Sequence, residues 1–328
     1  MSKPKVFVTR ILPTKGLDLI SIFTDAEIWK EELPPPYDIL LQKVRGIMGL
    51  VCLLSDRIDA ELMDQAGGQL RVISQMAVGV DNIDISAATE RGIPVGNTPG
   101  VLTETTADFA FALLMTAGRR IVEGERFVKA GKWKTWGPTL LMGHDIHGAI
   151  LGIIGFGRIG QAVARRAQSF GMRILFNDDR VSKEVGEELG AEKVVLEDLL
   201  SESDFVSLHV PLTEETKHLI GARELKMMKD SAVLINTSRG PVVDSYALYG
   251  ALTGGEICGA ALDVTDPEPI SEKDPLLSLS NCLIVPHIAS SSVVTRSKMA
   301  IMAAENLKAG LSGERIPYCA NPEVYKDT

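Results

Sequence analysis

An unbroken apolar run, Ala149-Ile150-Leu151-Gly152-Ile153-Ile154, stops against Gly155-Phe156-Gly157-Arg158-Ile159-Gly160, and a helix-forming stretch begins at once. The glycine spacing alone is weak. With 30 Gly in 328 residues, a shuffled chain shows G-x-G-x-x-G somewhere about a quarter of the time. Its context does the constraining. A continuous apolar run suits a strand buried on both faces of a parallel sheet. Gly155 then permits a tight turn, Gly157 lets backbone approach a pyrophosphate, and Gly160 lets the next helix pack close to the strand. From Arg158 to Phe170, residues Ile159, Val163, Ala164 and Ala167 fall at core-facing spacing. A helix starting there turns its free amides and positive dipole end toward an anion, and Arg158 adds charge. These features predict a Rossmann-type dinucleotide-binding unit.

Gly171 closes that helix, and Arg173-Ile174-Leu175-Phe176-Asn177 reads as a second strand ending at Asp178 and Asp179. Asp178 lies 18 residues beyond Gly160, close to the offset of about 20 at which an acidic side chain accepts from the adenosine ribose of NAD. Two adjacent carboxylates also repel a 2′-phosphate, so NAD(H) is favoured. Arg180 can receive that phosphate, which leaves NADP(H) open.

At 328 residues the chain exceeds what one core usually serves, so two domains are expected. Its net charge is −9, with no long basic run. Nucleic acid, whose binding rests on clustered Lys and Arg, is thereby disfavoured as a partner. No stretch approaches the roughly 18 continuous apolar residues of a membrane span, and the N-terminal Met1-Ser2-Lys3-Pro4-Lys5 does not read as a signal peptide. A cytoplasmic protein without a membrane partner is expected. Cys52, Cys258, Cys282 and Cys319 lack C-x-x-C spacing and read as reduced packing residues. His144 and His147 stand three apart with no further ligand cluster, so no metal is predicted.

Before the fingerprint, strands are predicted at Lys5–Arg10, Gly46–Leu54 and Leu70–Ser74, with a short one at Ile93–Gly96 leading to a turn-rich border near residue 100. Helical stretches alternate with them. A long helix is expected over Thr103–Arg120 and another over Ser291–Gly310. Further strands follow at Phe205–Val210, Ala232–Asn236, Gly259–Val264 and Cys282–Val285. The pattern predicts an α/β protein of two doubly wound parallel-sheet domains. One is the Rossmann dinucleotide-binding domain, residues 102–290. The other is a flavodoxin-like substrate domain built from residues 1–101 and completed by 291–328.

Ligands of open parallel sheets bind beyond the carboxyl ends of the strands. Three charged or titratable residues sit there: Arg239 in Asn236-Thr237-Ser238-Arg239-Gly240, Glu268 in Asp263-Val264-Thr265-Asp266-Pro267-Glu268, and His287 in Val285-Pro286-His287-Ile288. Reduction of a 2-oxo acid needs a cation to hold the carboxylate and polarise the carbonyl, an imidazolium to protonate the developing alkoxide, and a carboxylate to keep that imidazole charged. Arg suits the first role through its planar fork. His209, ending an earlier strand, reads as a pocket wall.

At these residues the chain resembles the D-2-hydroxyacid dehydrogenase family, and within it the glyoxylate/hydroxypyruvate reductases. The similarity covers nearly the whole length. It includes Val78-Gly79-Val80-Asp81-Asn82, the glycine fingerprint, Leu212-Thr213 with Thr216, Asn236 to Asp244, Gly259 to Val264, and Pro286-His287-Ile288-Ala289-Ser290. The resemblance implies an active site in a cleft between two α/β domains, with Arg239, Glu268 and His287 as the catalytic set. It implies that amides around Val78 and Gly79 take the substrate carboxylate, with Ser290 contacting substrate oxygens and Trp136 reaching the pocket of a neighbouring subunit in a homodimer; Leu53, Met76, Trp136 and Leu141 are the residues expected to set pocket size. It assigns Gly155, Gly157, Arg158, Ile159, Gly160, Asp178, Thr106, Val210, Pro211, Thr216, Thr237, Ser238 and Asp263 to the cofactor, Asp263 orienting the nicotinamide carboxamide. Asp178-Asp179 depart from the small residue followed by Arg or Ser of the NADPH-specific members. The expected substrate is a small 2-oxo acid, glyoxylate or hydroxypyruvate. The alternatives are a larger 2-oxo acid, such as 2-ketogluconate or a phenylpyruvate-like compound, and a dinucleotide-sensing corepressor-like binding protein.

Overall fold

The computed structural model describes residues 3–325, and the chain divides into two compact units. The first holds the residues up to Leu102 and those from Ser291 on; the second is Thr103–Ser290.

In the first unit, β1 (Lys5–Val8), β2 (Asp25–Ile28), β3 (Gly49–Cys52), β4 (Val72–Gln75) and β5 (Val95–Gly96) form one sheet in the order β2-β1-β3-β4-β5. Every pairing is parallel, and the order is the flavodoxin-like one. The helix Val293–Leu311 starts at Ser292, whose hydroxyl accepts from the Thr295 amide at 3.1 Å. It packs over β3 and β4, where the buried Ser74 hydroxyl donates to the Ala303 carbonyl at 2.8 Å.

The second unit carries β6 (Ile150–Ile154), β7 (Arg173–Asn177), β8 (Ala191–Lys193), β9 (Phe205–Leu208), β10 (Val233–Asn236), β11 (Gly259–Leu262) and β12 (Cys282–Ile284). Their order is β12-β11-β10-β9-β6-β7-β8, again all parallel. Read from the β8 edge, this is the doubly wound 3-2-1-4-5-6 order with one strand added. The apolar runs follow from cover on both faces. Leu151 and Ile153 of β6 join a core with Phe111 and Leu114 of helix Thr103–Gly118 and Val163 of helix Arg158–Ser169. Ile154 joins Val206, Leu208 and Leu234 in a second core.

Three expectations are corrected. β2 and β8 were not legible as strands, since each is a segment of four or three residues at a sheet edge that buries little apolar surface. The predicted helix Thr103–Arg120 ends at Gly118, and a second helix, Ile121–Lys129, follows. Arg120 between them takes φ 54°, with its guanidinium held by Glu123 at 2.8 Å through both Nε and Nη2. Cys258 is exposed rather than packed, its Sγ 3.4 Å from His144 Nε2.

Candidate active site

Three glycines shape the loop after β6. Gly155 takes φ +89°, and a Cβ there would stand 2.7 Å from the His209 carbonyl carbon and 2.8 Å from the Val210 nitrogen, so the turn presses against the exit of β9. A Cβ at Gly160 would overlap the carbonyl oxygen of Gly155, so only glycine lets the helix start this close to the strand. A Cβ at Gly157 would meet nothing within 4 Å. The space beside that backbone is open, and Gly157 is the N-cap of the helix Arg158–Ser169 with no side chain capping it. Free first-turn amides beside an open cradle fit a pyrophosphate.

Asp178 stands across from this turn. Its Oδ2 accepts from the Phe156 amide at 2.7 Å, and its Oδ1 accepts from the amides of Arg180 at 2.8 Å and Val181 at 3.1 Å. A carboxylate offers about four lone pairs, so acceptor capacity remains for ribose hydroxyls. Arg158 is exposed, and Ile159 packs half-buried against the core.

The loop after β9 carries Val210, Pro211 and Thr216. The Thr216 hydroxyl donates to the Pro211 carbonyl at 2.7 Å and accepts from the Thr213 amide at 2.8 Å, which fixes the loop's path. At its root His209 Nε2 lies 2.8 Å from Ser207 Oγ. Its Nδ1 is buried without a partner among the described residues, as is the hydroxyl of Thr237. Burial lowers the His209 pKa to about 4, so the ring is neutral at physiological pH. An unpartnered buried hydroxyl beside the β10 exit is the kind of group a bound dinucleotide satisfies.

At the end of β10, Asn236 holds its own loop. Its Oδ1 accepts from Ser238 Oγ at 2.7 Å and from the Ser238 amide at 3.0 Å, and its Nδ2 donates to the Arg239 carbonyl at 2.9 Å. Arg239 Nη1 donates to the Ser238 carbonyl at 2.8 Å. A Cβ at Gly240 would overlap the Thr265 carbonyl, so a glycine there is what lets the β10 loop lie against the β11 loop that leads to Glu268.

Asp263 ends that strand region almost wholly buried. Its Oδ1 accepts from the Ile288 amide at 2.7 Å and its Oδ2 from the Ala289 amide at 2.9 Å, while its carbonyl accepts from the His287 amide at 2.8 Å. Burial pushes its carboxyl above the usual range, opposed by the two amide bonds. His287 is thereby held at φ 53°, a left-handed conformation uncommon for a non-glycine residue. Its Nδ1 lies 2.6 Å from Glu268 Oε1. With Nδ1 engaged, Nε2 is the ring nitrogen left for a substrate. Sequence reasoning gave Asp263 to the cofactor; its clamp on the His287 turn had no signal in the local sequence, because the partners are 25 residues away.

Thr106 is buried in the first turns of helix Thr103–Gly118, which packs over β10 and β11. Ser290 is half-buried three residues after His287. Trp136 is 78% exposed and so is not used in local packing. In the first unit, Leu53 follows β3 and Val78-Gly79 follow β4, and the Leu53 amide donates to Asp56 Oδ2 at 2.8 Å.

His209 gives a pH test. The unfolded chain binds a proton near the ordinary value of 6.5 that the folded chain refuses until about 4, so this residue makes stability fall as pH drops through that window. Urea unfolding across the window should show a shallower fall in His209→Gln than in the parent chain; equal slopes would contradict the assignment.

Residues 111–289 match the family model described as the D-isomer specific 2-hydroxyacid dehydrogenase, NAD binding domain. A glyoxylate reductase of Korarchaeum cryptofilum is 56% identical over 99% of this chain and 98% of its own length. One from Thermococcus litoralis is 51% identical over 98% of each. Among solved structures, the TT0316 protein from Thermus thermophilus superposes with a TM-score of 0.91 at 48% identity, covering 96% of this chain and 99% of that one. The NADPH-dependent glyoxylate/hydroxypyruvate reductase from Sinorhizobium meliloti, in complex with NADP and malonate, gives 0.84 at 32% identity over 98% of each. With its fold, its glycine loop and these relatives taken together, the chain belongs to the D-isomer specific 2-hydroxyacid dehydrogenase family of oxidoreductases, which bind a nicotinamide dinucleotide.

Proposed function

We propose that this enzyme reduces glyoxylate, or hydroxypyruvate, to the corresponding 2-hydroxy acid, and that Arg239, Glu268 and His287 carry the reaction. The observation that bears most weight is the contact of His287 Nδ1 with Glu268 Oε1 at 2.6 Å, joined to near full-length identity with relatives named glyoxylate reductase. When bound, the reduced nicotinamide supplies a hydride to the carbonyl carbon. His287 Nε2 gives its proton to the carbonyl oxygen, so one hydride and one proton convert the aldehyde of glyoxylate, or the ketone of hydroxypyruvate, to the alcohol. The Glu268 carboxylate engages Nδ1 and so holds the ring with Nε2 turned to the substrate. Arg239 pairs with the substrate carboxylate and draws electron density toward the carbonyl oxygen. Amides around Val78 and Gly79 hold the same carboxylate, Ser290 contacts substrate oxygens, and Leu53 limits the pocket.

We assign Gly155, Gly157, Arg158, Ile159, Gly160, Thr106, Val210, Pro211, Thr216, Thr237, Ser238 and Asp263 to the cofactor, and favour NADH on the strength of Asp178. Arg180 keeps NADPH as the alternative. A homodimer is supported by one stretch, residues 121–142, that exposes Ile121, Val128, Trp133, Trp136, Leu140 and Met142, since grouped exposed apolar side chains mark interaction surfaces. Four unpaired cysteines are consistent with a reducing, cytoplasmic setting.

A panel of 2-oxo acids assayed with NADH and with NADPH tests the reading, compared as kcat/KM. Glyoxylate or hydroxypyruvate with NADH should lead. Tight NADH binding without turnover of any 2-oxo acid would contradict it and favour a dinucleotide sensor. In Asp178→Asn, which keeps an acceptor but loses the charge, the ratio of kcat/KM with NADH to that with NADPH should fall by roughly tenfold; an unchanged ratio would remove Asp178 from cofactor selection. Glu268→Gln should lower kcat for reduction by roughly tenfold or more with NADH affinity unchanged, because the carboxylate that holds the His287 ring is gone. A kcat within about twofold of the parent would break the proposed pairing.

A further inference from the structure

Buried side chains beneath the loop after β4 fix the direction of its amides. Gln75, the last residue of β4, is fully buried. Its Nε2 donates to the Gly79 carbonyl at 3.0 Å and also to Asn82 Oδ1, while its Oε1 accepts from Cys52 Sγ at 3.2 Å. Asn82 Nδ2 in turn donates to the carbonyls of Leu53 at 3.0 Å and Asp56 at 2.7 Å. From the exit of β5, Asn97 Nδ2 donates to the Val78 carbonyl at 2.8 Å. The carbonyls of Val78 and Gly79 are therefore both turned toward side-chain donors.

The peptides that follow these carbonyls are trans. In a trans peptide the C=O and N–H point in opposite directions, so anchoring the Val78 and Gly79 carbonyls sends the amides of Gly79 and Val80 the other way. Neither amide donates to a backbone acceptor among the described residues. Two consecutive N–H groups aimed away from their anchors form a ready anion site.

We propose that Gln75 and Asn97 are positioning residues for substrate binding: Asn97 holds the Val78–Gly79 peptide and Gln75 the Gly79–Val80 peptide so that their N–H groups meet the substrate carboxylate. This rests on the reading that the loop takes that carboxylate. Gln75 is fully buried beneath the loop and acts through it. Its effect falls on carboxylate affinity and leaves the chemical step alone.

The test is Gln75→Met, which keeps the volume and removes the donor. The expected result is a rise of roughly tenfold in KM for glyoxylate, the usual size of one hydrogen bond to a charged group, with kcat within about threefold. Binding of oxamate, an unreactive 2-oxo acid analogue, to the NADH-loaded enzyme should weaken by the same factor, and NADH affinity should not move. Asn97→Ser is the second variant, on a half-buried side chain, and should show the same split if Gln75→Met does not fold. A KM within twofold of the parent in the folded variant, or a fall in kcat with KM unchanged, would overturn the inference while leaving the reductase reading intact. A parent enzyme that turns over no 2-oxo acid would overturn both.

Discussion

One buried carboxylate organises the turn that carries His287. Asp263 spends both oxygens on the amides of Ile288 and Ala289 and its carbonyl on the amide of His287. Three bonds from one residue hold the turn in which His287 adopts a left-handed backbone. Such a conformation costs on the order of 1 kcal/mol or more and persists only where its surroundings impose it. The same turn places His287 Nδ1 2.6 Å from Glu268 Oε1. The burial that raises the Asp263 pKa is the counterpart of that grip, since a solvated carboxylate would have water as a competing partner.

The rest of the site depends on the order of strands. β6 and β9 are neighbours, yet the chain leaves β6 toward β7 on one side and later returns to β9 on the other. At such a reversal the strand-end loops diverge and leave a crevice. Gly155 presses the β6 turn against His209 and Val210, and Gly240 lets the β10 loop lie on Thr265. These close approaches join the loops after β6 and β9 in one pair and those after β10 and β11 in another, within the second unit. Neutral His209, buried at the root of the β9 loop, adds no charge beside the cofactor cradle.

Much of this was legible in the sequence. Strands buried on both faces announce themselves as apolar runs, and the runs at 150–154, 173–177 and 233–236 lie within or coincide with the expected ones. The glycine fingerprint was readable because each glycine answers a separate local demand. Glu268 and His287 are 19 residues apart and lie on loops after successive strands, so chemistry and strand spacing together brought them to attention. The edge strands β2 and β8 were not legible, because segments of four and three residues are too short for an alternation to stand out. Nor were the roles of Gln75 and Asn97. Their partners become apparent only once the order β3-β4-β5 is known, and a glutamine ending an apolar run reads simply as a strand terminus.

The proposed reaction turns on His287, oriented by Glu268 and the Asp263 clamp, as the proton donor to a 2-oxo acid. Single-turnover oxidation of enzyme-bound NADH by saturating glyoxylate, compared between the parent enzyme and His287→Gln, measures that step directly. The expected result is a loss of roughly 10²–10⁴-fold, the usual contribution of a positioned general acid, with NADH affinity unchanged. A rate within about tenfold of the parent, in a variant that still binds NADH, would contradict that role.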